Sequence, residues 1–296
     1  MRLRSTANGG RRAAGAPVAN PAEDLGDHLV RTGQLTRADV EEIVAHQGAS
    51  GRSFGDAAVD LGKIDRATLD RALAERDQPL VLSPGDQRID PAVTAAFDID
   101  HPTVRQVRAI RGELAGRWRG EGPDAGRAAA LIGFDGDPRV GETAANLAVV
   151  SAQLGWTTLL VDGDMEQPLQ HHLFRLPNTA GVTSLLTGAA AQPASTPIDR
   201  LKVLPTGPVS ASSAGLLERQ PLLRLLSQGG LHQRLTLFSQ SRLSSNSLGS
   251  LETVLAGFDA VIFLVTRHAS SLRQLQNLIA DAEARGLPFL GSVILQ

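Results

Sequence analysis

The stretch Ala128–Asp164, AAALIGFDGDPRVGETAANLAVVSAQLGWTTLLVDGD, decides the fold. Ala128–Ile132 is a short, uninterrupted apolar run, followed by a polar, glycine-bearing turn and a helical pattern from about Thr143 to Leu154. Thr157–Val161 is a second apolar run, ending in Asp162. Runs without alternation mark strands buried on both faces, and a helix between two of them makes the pair parallel. Outward from this unit the alternation continues, with strands expected at Leu201–Leu204, Leu235–Phe238, Ala260–Val265 and Phe289–Leu295 and helices near 215–228 and 270–285. The fold class is therefore α/β, a P-loop NTPase-like, mostly parallel sheet covered by helices on both faces. Ligands of such sheets sit at the carboxyl ends of the strands, so the turn after Ile132 and the segment after Val161 fall at one site.

The turn runs Gly133-Phe134-Asp135-Gly136-Asp137-Pro138-Arg139-Val140-Gly141-Glu142-Thr143. A strand, a glycine loop and a helix N-terminus bring backbone N–H groups together as an anion cradle. A lysine and a Ser/Thr complete it for nucleotide phosphates and magnesium. This loop has no lysine and carries Asp135, Asp137 and Glu142. Each carboxylate repels a phosphate by roughly 1 kcal/mol at 4 Å in water, and by more where solvation is poorer. Pro138 removes one donor, and Arg139 is the cation placed to stand in for the lysine.

Before this domain lies an internal repeat: residues 24–47 align without gaps on residues 53–76. Gly26 matches Gly55, Gly33 matches Gly62, Val40 matches Leu69 and Val44 matches Leu73. Each copy reads as a helix, a glycine turn and a second helix capped by Thr36 or Asp65, which gives a small all-α domain over 24–78. Residues 1–23 read as a disordered tail, and residues 79–126 as a proline-dotted linker with an arginine-rich amphipathic helix from 103 to 119. The α/β domain then occupies 127–296.

The chain of 296 residues has no cysteine, which excludes disulfides and thiolate metal sites and suits a reducing cytoplasm. A net charge of −2 gives no reason to expect nucleic acid, and no apolar run reaches the ~18 residues of a membrane span. His171 and His172, with no third ligand in view, read as a solvated pair rather than a metal site. Tyrosine is absent altogether.

The order of these segments resembles the bacterial tyrosine kinases of exopolysaccharide export, P-loop proteins related to the ParA/MinD-type ATPases, and among them the EpsG-type chain-length-determinant kinases. Thr143–Ala148 resembles the family's helix after the phosphate loop, and Leu159–Asp164 with Pro168 and Phe174 its second acidic motif. Asn178–Gly188 and Leu204–Leu217 resemble two further family segments, and the resemblance covers nearly all of residues 103–296. It implies ATP with magnesium as cofactor and Asp162 and Asp164 as catalytic carboxylates, Asp162 being the metal ligand. It places nucleotide contacts at Gly136, Arg139, Val140, Gly141, Glu142 and Thr143. The departures are equally specific. Val140 and Gly141 stand where the family has Lys and Ser/Thr, and Leu235–Arg242 has no aspartate where the family's strand ends in Asp-Thr-Pro. The tyrosine-rich tail has no counterpart, and the family's Glu-x-x-Arg-x-x-Arg assembly motif becomes Arg105-x-x-Arg108-x-x-Arg111.

The repeat domain resembles the MshEN/GspE N-terminal domains, some of which bind cyclic di-GMP through an Arg-Leu-Gly opening and a terminal Gln. Here the openings are Asp24-Leu25-Gly26 and Ser53-Phe54-Gly55, and Gln47 is kept while its partner is Arg76, which argues against that ligand. The leading expectation is a degenerate kinase without enzymatic activity, a cytoplasmic adaptor or regulator that can sit peripherally at the inner membrane. Its partner would be a membrane chain-length determinant of the Wzz/EpsF-like kind, with homo-oligomerisation possible and no direct membrane insertion. An ATP-dependent kinase acting on a partner, and a cyclic di-GMP sensor, stay open as alternatives.

Overall fold

The computed structural model describes residues 25–50, 53–77, 81–118, 126–210, 212–231, 233–242, 248–267 and 272–295. The tail over 1–23 and the end of the linker over 119–125 lie outside them. The described residues form two compact units, divided near residue 80.

In the first unit the repeat folds as two helical hairpins, α1 (Leu25–Arg31) with α2 (Arg37–Ser50) and α3 (Phe54–Asp60) with α4 (Arg66–Asp77). Equivalent positions of the two copies share one core: Leu29 with Ala58, Leu35 with Ile64, and Ile43 with Ala72. Gly33 and Gly62 both take positive φ, +74° and +63°, a conformation that costs any residue with a Cβ. Their turns close identically, Gln34 N–H to Leu29 O and Lys63 N–H to Ala58 O. The residue of α2 that enters the core is Ile43; Val44, which the sequence alignment paired with Leu73, is half exposed.

In the second unit seven strands form one sheet in the order β3-β4-β2-β5-β1-β6-β7. They are β1 (Arg127–Ile132), β2 (Thr158–Asp162), β3 (Ala194–Ser195), β4 (Leu201–Leu204), β5 (Leu235–Gln240), β6 (Ala260–Thr266) and β7 (Phe289–Leu295). All pairings are parallel except that of β3, a two-residue antiparallel edge. Successive residues of β1 point to opposite faces, so Ala129 and Leu131 join one core while Ala128, Ala130 and Ile132 join the other.

On the first face lies helix α6 (Pro138–Gln153), buried along most of its length because a second layer covers it. That layer is α5 (Pro102–Arg117) together with residues 81–101. The proline-dotted segment is thus built into this unit: Ile89, Val93, Ala95 and Ala96 are buried, and Asn146 of α6 stitches them down. The Asn146 amide accepts from Ala95 N–H (2.8 Å) and Thr94 Oγ1 (3.2 Å) and donates to Ala92 O (3.0 Å) and Glu142 O (2.8 Å). A buried amide satisfied at both ends fixes one register for the segment. The other face carries α8 (Val182–Leu186), α9 (Ser213–Leu217), α10 (Leu222–Gln228), α11 (Leu248–Val254) and α12 (Leu272–Ala284). The single helix expected near 215–228 is broken in two, since Pro221 cannot continue a helix and instead caps α10. No helix of the described residues is long and apolar enough to cross a membrane.

Candidate functional site

The carboxyl ends of β1, β2 and β5 converge. Gly133 N–H donates to Gln240 O (2.8 Å), Gly136 N–H to Ser241 O (3.0 Å) and Gly163 N–H to Ser239 O (2.9 Å). The loop after β1 and the acidic segment after β2 therefore meet over the end of β5. Close backbone approach requires the glycines here. A Cβ on Gly133 would sit 2.6 Å from Ser241 O, and one on Gly163 would lie 2.0 Å from the Phe238 ring.

The loop is shorter than the sequence pattern suggested. Helix α6 begins at Pro138 rather than near Thr143, because proline at the first helical position has the right φ and lacks only a donor the helix does not use. Asp137 is its N-cap and accepts from Arg139 N–H at 2.9 Å. The same carboxylate holds the Arg139 guanidinium (Nη2 to Oδ2, 2.6 Å) and accepts from Thr266 Oγ1 (2.8 Å). The Arg139 guanidinium beside it pulls the Asp137 carboxyl down to about 2, against the smaller opposing effect of burial. Arg139 is thus folded back on the cap. The guanidinium over the loop is that of Arg242, whose Nε lies 3.0 Å from where a Gly136 Cβ would be.

Val140 is fully buried, its Cγ2 2.6 Å from the Cβ position of Gly133. Thr143 is buried and its hydroxyl donates to Arg139 O (2.7 Å) inside the helix. Glu142 is half-buried, and burial raises its carboxyl above the usual range, with Asp137 adding to the rise.

Asp162 and Asp164 are almost fully buried and their oxygens are engaged within the protein. Asp162 Oδ2 accepts from Leu169 and Gln170 N–H, both at 2.9 Å, and Oδ1 from Asp164 N–H at 3.2 Å. Asp164 Oδ1 accepts from Glu166 and Gln167 N–H (3.1 and 2.9 Å), while Oδ2 accepts from Ser241 N–H (3.0 Å) and the Ser241 hydroxyl. Burial pushes the Asp162 carboxyl up to about 7, offset in part by its backbone donors.

A residue that the sequence reading passed over links the departures from the kinase pattern. Gln170, the first residue of α7 (Gln170–Leu173), is wholly buried, and its Nε2 donates to Gly141 O (3.0 Å) and reaches Ser239 Oγ (3.4 Å). One amide therefore ties Gly141 in the first turn of α6 to Ser239 near the end of β5. A Cβ on Gly141 would lie 2.8 Å from Leu169 Cδ2, so the small residue there and the Leu169–Gln170 pair fit each other. In a segment reading PLQHHLF, a lone glutamine carries no periodic signal that would have marked it.

His171 and His172 stack with ring centroids 3.9 Å apart, and burial and its neighbour lower the His171 imidazole below its usual range. Among the described residues no group of three or more His, Asp or Glu side chains could hold a metal ion.

No protein-family profile matches the chain. The chain is 40% identical over 76 residues to the putative tyrosine-protein kinase CapB of Staphylococcus aureus, a match covering 25% of this chain and 33% of that protein. It is 42% identical over 78 residues to tyrosine-protein kinase YwqD of Bacillus subtilis, with the same coverage. The match thus spans about a third of the length of these curated relatives. Among solved structures, the chimerical protein CapA2B2 superimposes with a TM-score of 0.58 at 26% identity, over 69% of this chain and 89% of that one. The kinase domain of Escherichia coli tyrosine kinase ETK shares the fold, with a TM-score of 0.58 at 19% identity over 75% of this chain and 85% of that one. In motif order over part of its length and in its seven-stranded, mostly parallel sheet, the chain is similar to these bacterial tyrosine kinases.

Proposed function

We propose that this chain is a degenerate member of the family that neither binds magnesium-ATP productively nor transfers phosphate, and that it acts as a regulator or adaptor in exopolysaccharide assembly. The observation that carries the reading is the internal occupation of the would-be phosphate and magnesium site. The N–H of Gly136 and the carboxylate oxygens of Asp162 and Asp164 are hydrogen-bonded within the protein, and Val140 in the lysine's place is buried in apolar contact. Phosphoryl transfer rests on positioned cations and metal-holding carboxylates, and Asp135, Asp137 and Glu142 put negative charge where the phosphates would lie. In this reading the residues present do not fit a nucleotide–magnesium complex.

In this reading the intact α/β unit serves as a docking body for the cytoplasmic part of a membrane chain-length protein, which would hold the chain peripherally at the membrane. The repeat unit is a second interaction module. Calorimetric titration of the full chain with magnesium-ATP is the test. No heat of binding at ~100 μM ligand is expected, a range in which family-type nucleotide affinity would register. Micromolar binding together with ATP turnover overturns the proposal.

A further inference from the structure

The opposite end of the sheet holds an arginine–tryptophan cluster that includes Arg108 and Arg111, the two arginines aligned with the family's assembly motif. Trp156 lies just before β2 and Arg234 just before β5, two neighbouring strands, so both sit at the amino-terminal edge. Arg111, from α5, stacks on the Trp156 ring with its Cζ 4.5 Å from the centroid, and Arg234 lies over the same ring at 5.4 Å. Trp118 packs beside them, ring centroids 5.9 Å apart. Arg108 is three residues before Arg111 and so on the same side of α5.

Two features of this cluster lack a counterpart in the protein. The first is charge: among the described residues no carboxylate forms an ion pair with Arg108, Arg111 or Arg234. At this edge Arg127 pairs with Asp259 at 3.1 Å, and Arg200 donates to Gly155 O. Burial and the neighbouring Arg234 both lower the Arg111 guanidinium below its ordinary value, the signature of a cation held without a counterion. The second is hydrogen bonding. Among the described residues the buried indole N–H groups of Trp118 and Trp156 and the buried Nε–H groups of Arg108 and Arg111 have no acceptor, and Trp156 is only 7% exposed. Buried donors are normally satisfied, and each one left over asks for an explanation.

A bound anion supplies both the charge and the acceptors. We propose that Arg111 and Arg234, over the Trp156 ring, with Arg108 on the same side of α5 as Arg111, form a binding site for a phosphate-class oxyanion at the amino-terminal edge of the sheet. Stacking on tryptophan fixes the planar guanidinium forks, whose geometry suits phosphate oxygens. Three unpaired cations favour a multiply charged ligand, so pyrophosphate should bind more tightly than inorganic phosphate.

The chain reports on this site directly, since Trp118 and Trp156 are its only tryptophans and it has no tyrosine. The test titrates the full chain with inorganic phosphate and, separately, pyrophosphate at constant ionic strength, following tryptophan emission. A saturable change is expected, half-complete at or below about 1 mM pyrophosphate, the weak end of specific binding. Arg111→Gln and Arg234→Gln should each weaken it at least tenfold. Arg139→Gln, in the loop at the other end of the sheet, should leave it unchanged. Should one arginine variant fail to fold, the other, on a separate element, decides alone, and Arg234→Lys should restore part of the affinity. No saturable change up to about 10 mM, well past weak specific binding, overturns the proposal. So does equal half-saturation in the arginine variants, or a loss seen only in Arg139→Gln.

Discussion

Replacing Asp162 by asparagine should reverse the order of stability between the variant and the parent chain as pH rises. Asp162 is fully enclosed at the end of β2, and burial raises its carboxyl from an ordinary 3.8 to about 7. The folded state therefore holds this proton more tightly than the unfolded chain. The stabilisation is complete below about pH 4 and is lost as pH climbs towards 7. At 1.36 kcal/mol per pH unit the gap between the two values amounts to roughly 4 kcal/mol, an upper figure for a single buried group. Asparagine does not ionise and carries none of this dependence. It keeps one oxygen for Leu169 and Gln170 N–H but turns a donor towards Asp164 N–H, which costs roughly 1–3 kcal/mol. The variant should thus be the less stable below pH 5 and the more stable at pH 8. The assay is urea unfolding between pH 4.5 and 8 at fixed ionic strength, followed by tryptophan emission. Both tryptophans lie in the α/β unit, so this readout separates it from the repeat unit. Histidine and other titrations occur in both proteins and cancel in the difference. A difference constant across that range would show that Asp162 is ionised throughout, and the account of its burial would be refuted.

Gly163→Ala places a methyl group 2.0 Å from the Phe238 ring between β2 and β5, and should cost about 3 kcal/mol or prevent folding, read as the urea midpoint. Val140→Lys puts an ammonium into the contact with Gly133 and should cost several kcal/mol in thermal unfolding while generating no heat with magnesium-ATP. A stable Val140→Lys protein with micromolar ATP affinity would show that the lysine alone was missing. Gly62→Ala meets no neighbouring atom but must hold φ at +63°, so it should weaken the repeat unit by roughly 1–2 kcal/mol. That loss should appear in circular dichroism and leave the tryptophan transition in place.

The parallel strands were legible because they are uninterrupted apolar runs: Leu201–Leu204 and Phe289–Leu295 match the expected bounds and four others differ by a residue or two, while the two-residue edge β3 (Ala194–Ser195) was not expected. The meeting of the loop after β1 with the segment after β2 was legible for the same reason, since neighbouring parallel strands end on one side of the sheet. The start of α6 was not, because a phosphate-loop spacing was laid over the Asp137–Pro138 pair, which is itself a helix-start signal. Residues 81–101 concealed their packing because prolines interrupt any period, leaving Ile89, Val93, Ala95 and Ala96 as isolated apolar residues. The Gln170 bridge is invisible to pattern reading, for it joins residues 29 and 69 positions away in the chain.

That bridge bears on how kinase-type residues could be accommodated in the loop. A Ser or Thr at Gly141 needs the space now held by Leu169 Cδ2 and Gln170 Nε2. An aspartate at Ser239 would meet the Gln170 amide, which already lies 3.4 Å from the Ser239 hydroxyl. The Asp162 carboxylate that would have to turn towards a metal is also the acceptor that orients Gln170 N–H. Residues in one hydrogen-bond network do not act additively, so each single reversion should be destabilising even where several together could be neutral. Val140→Lys with Gly141→Ser should therefore be worse than the sum of its parts until Gln170 is also changed, and a triple-mutant cycle in urea would measure that coupling. Independent, additive costs would mean that Gln170 merely fills space between the loop and β5.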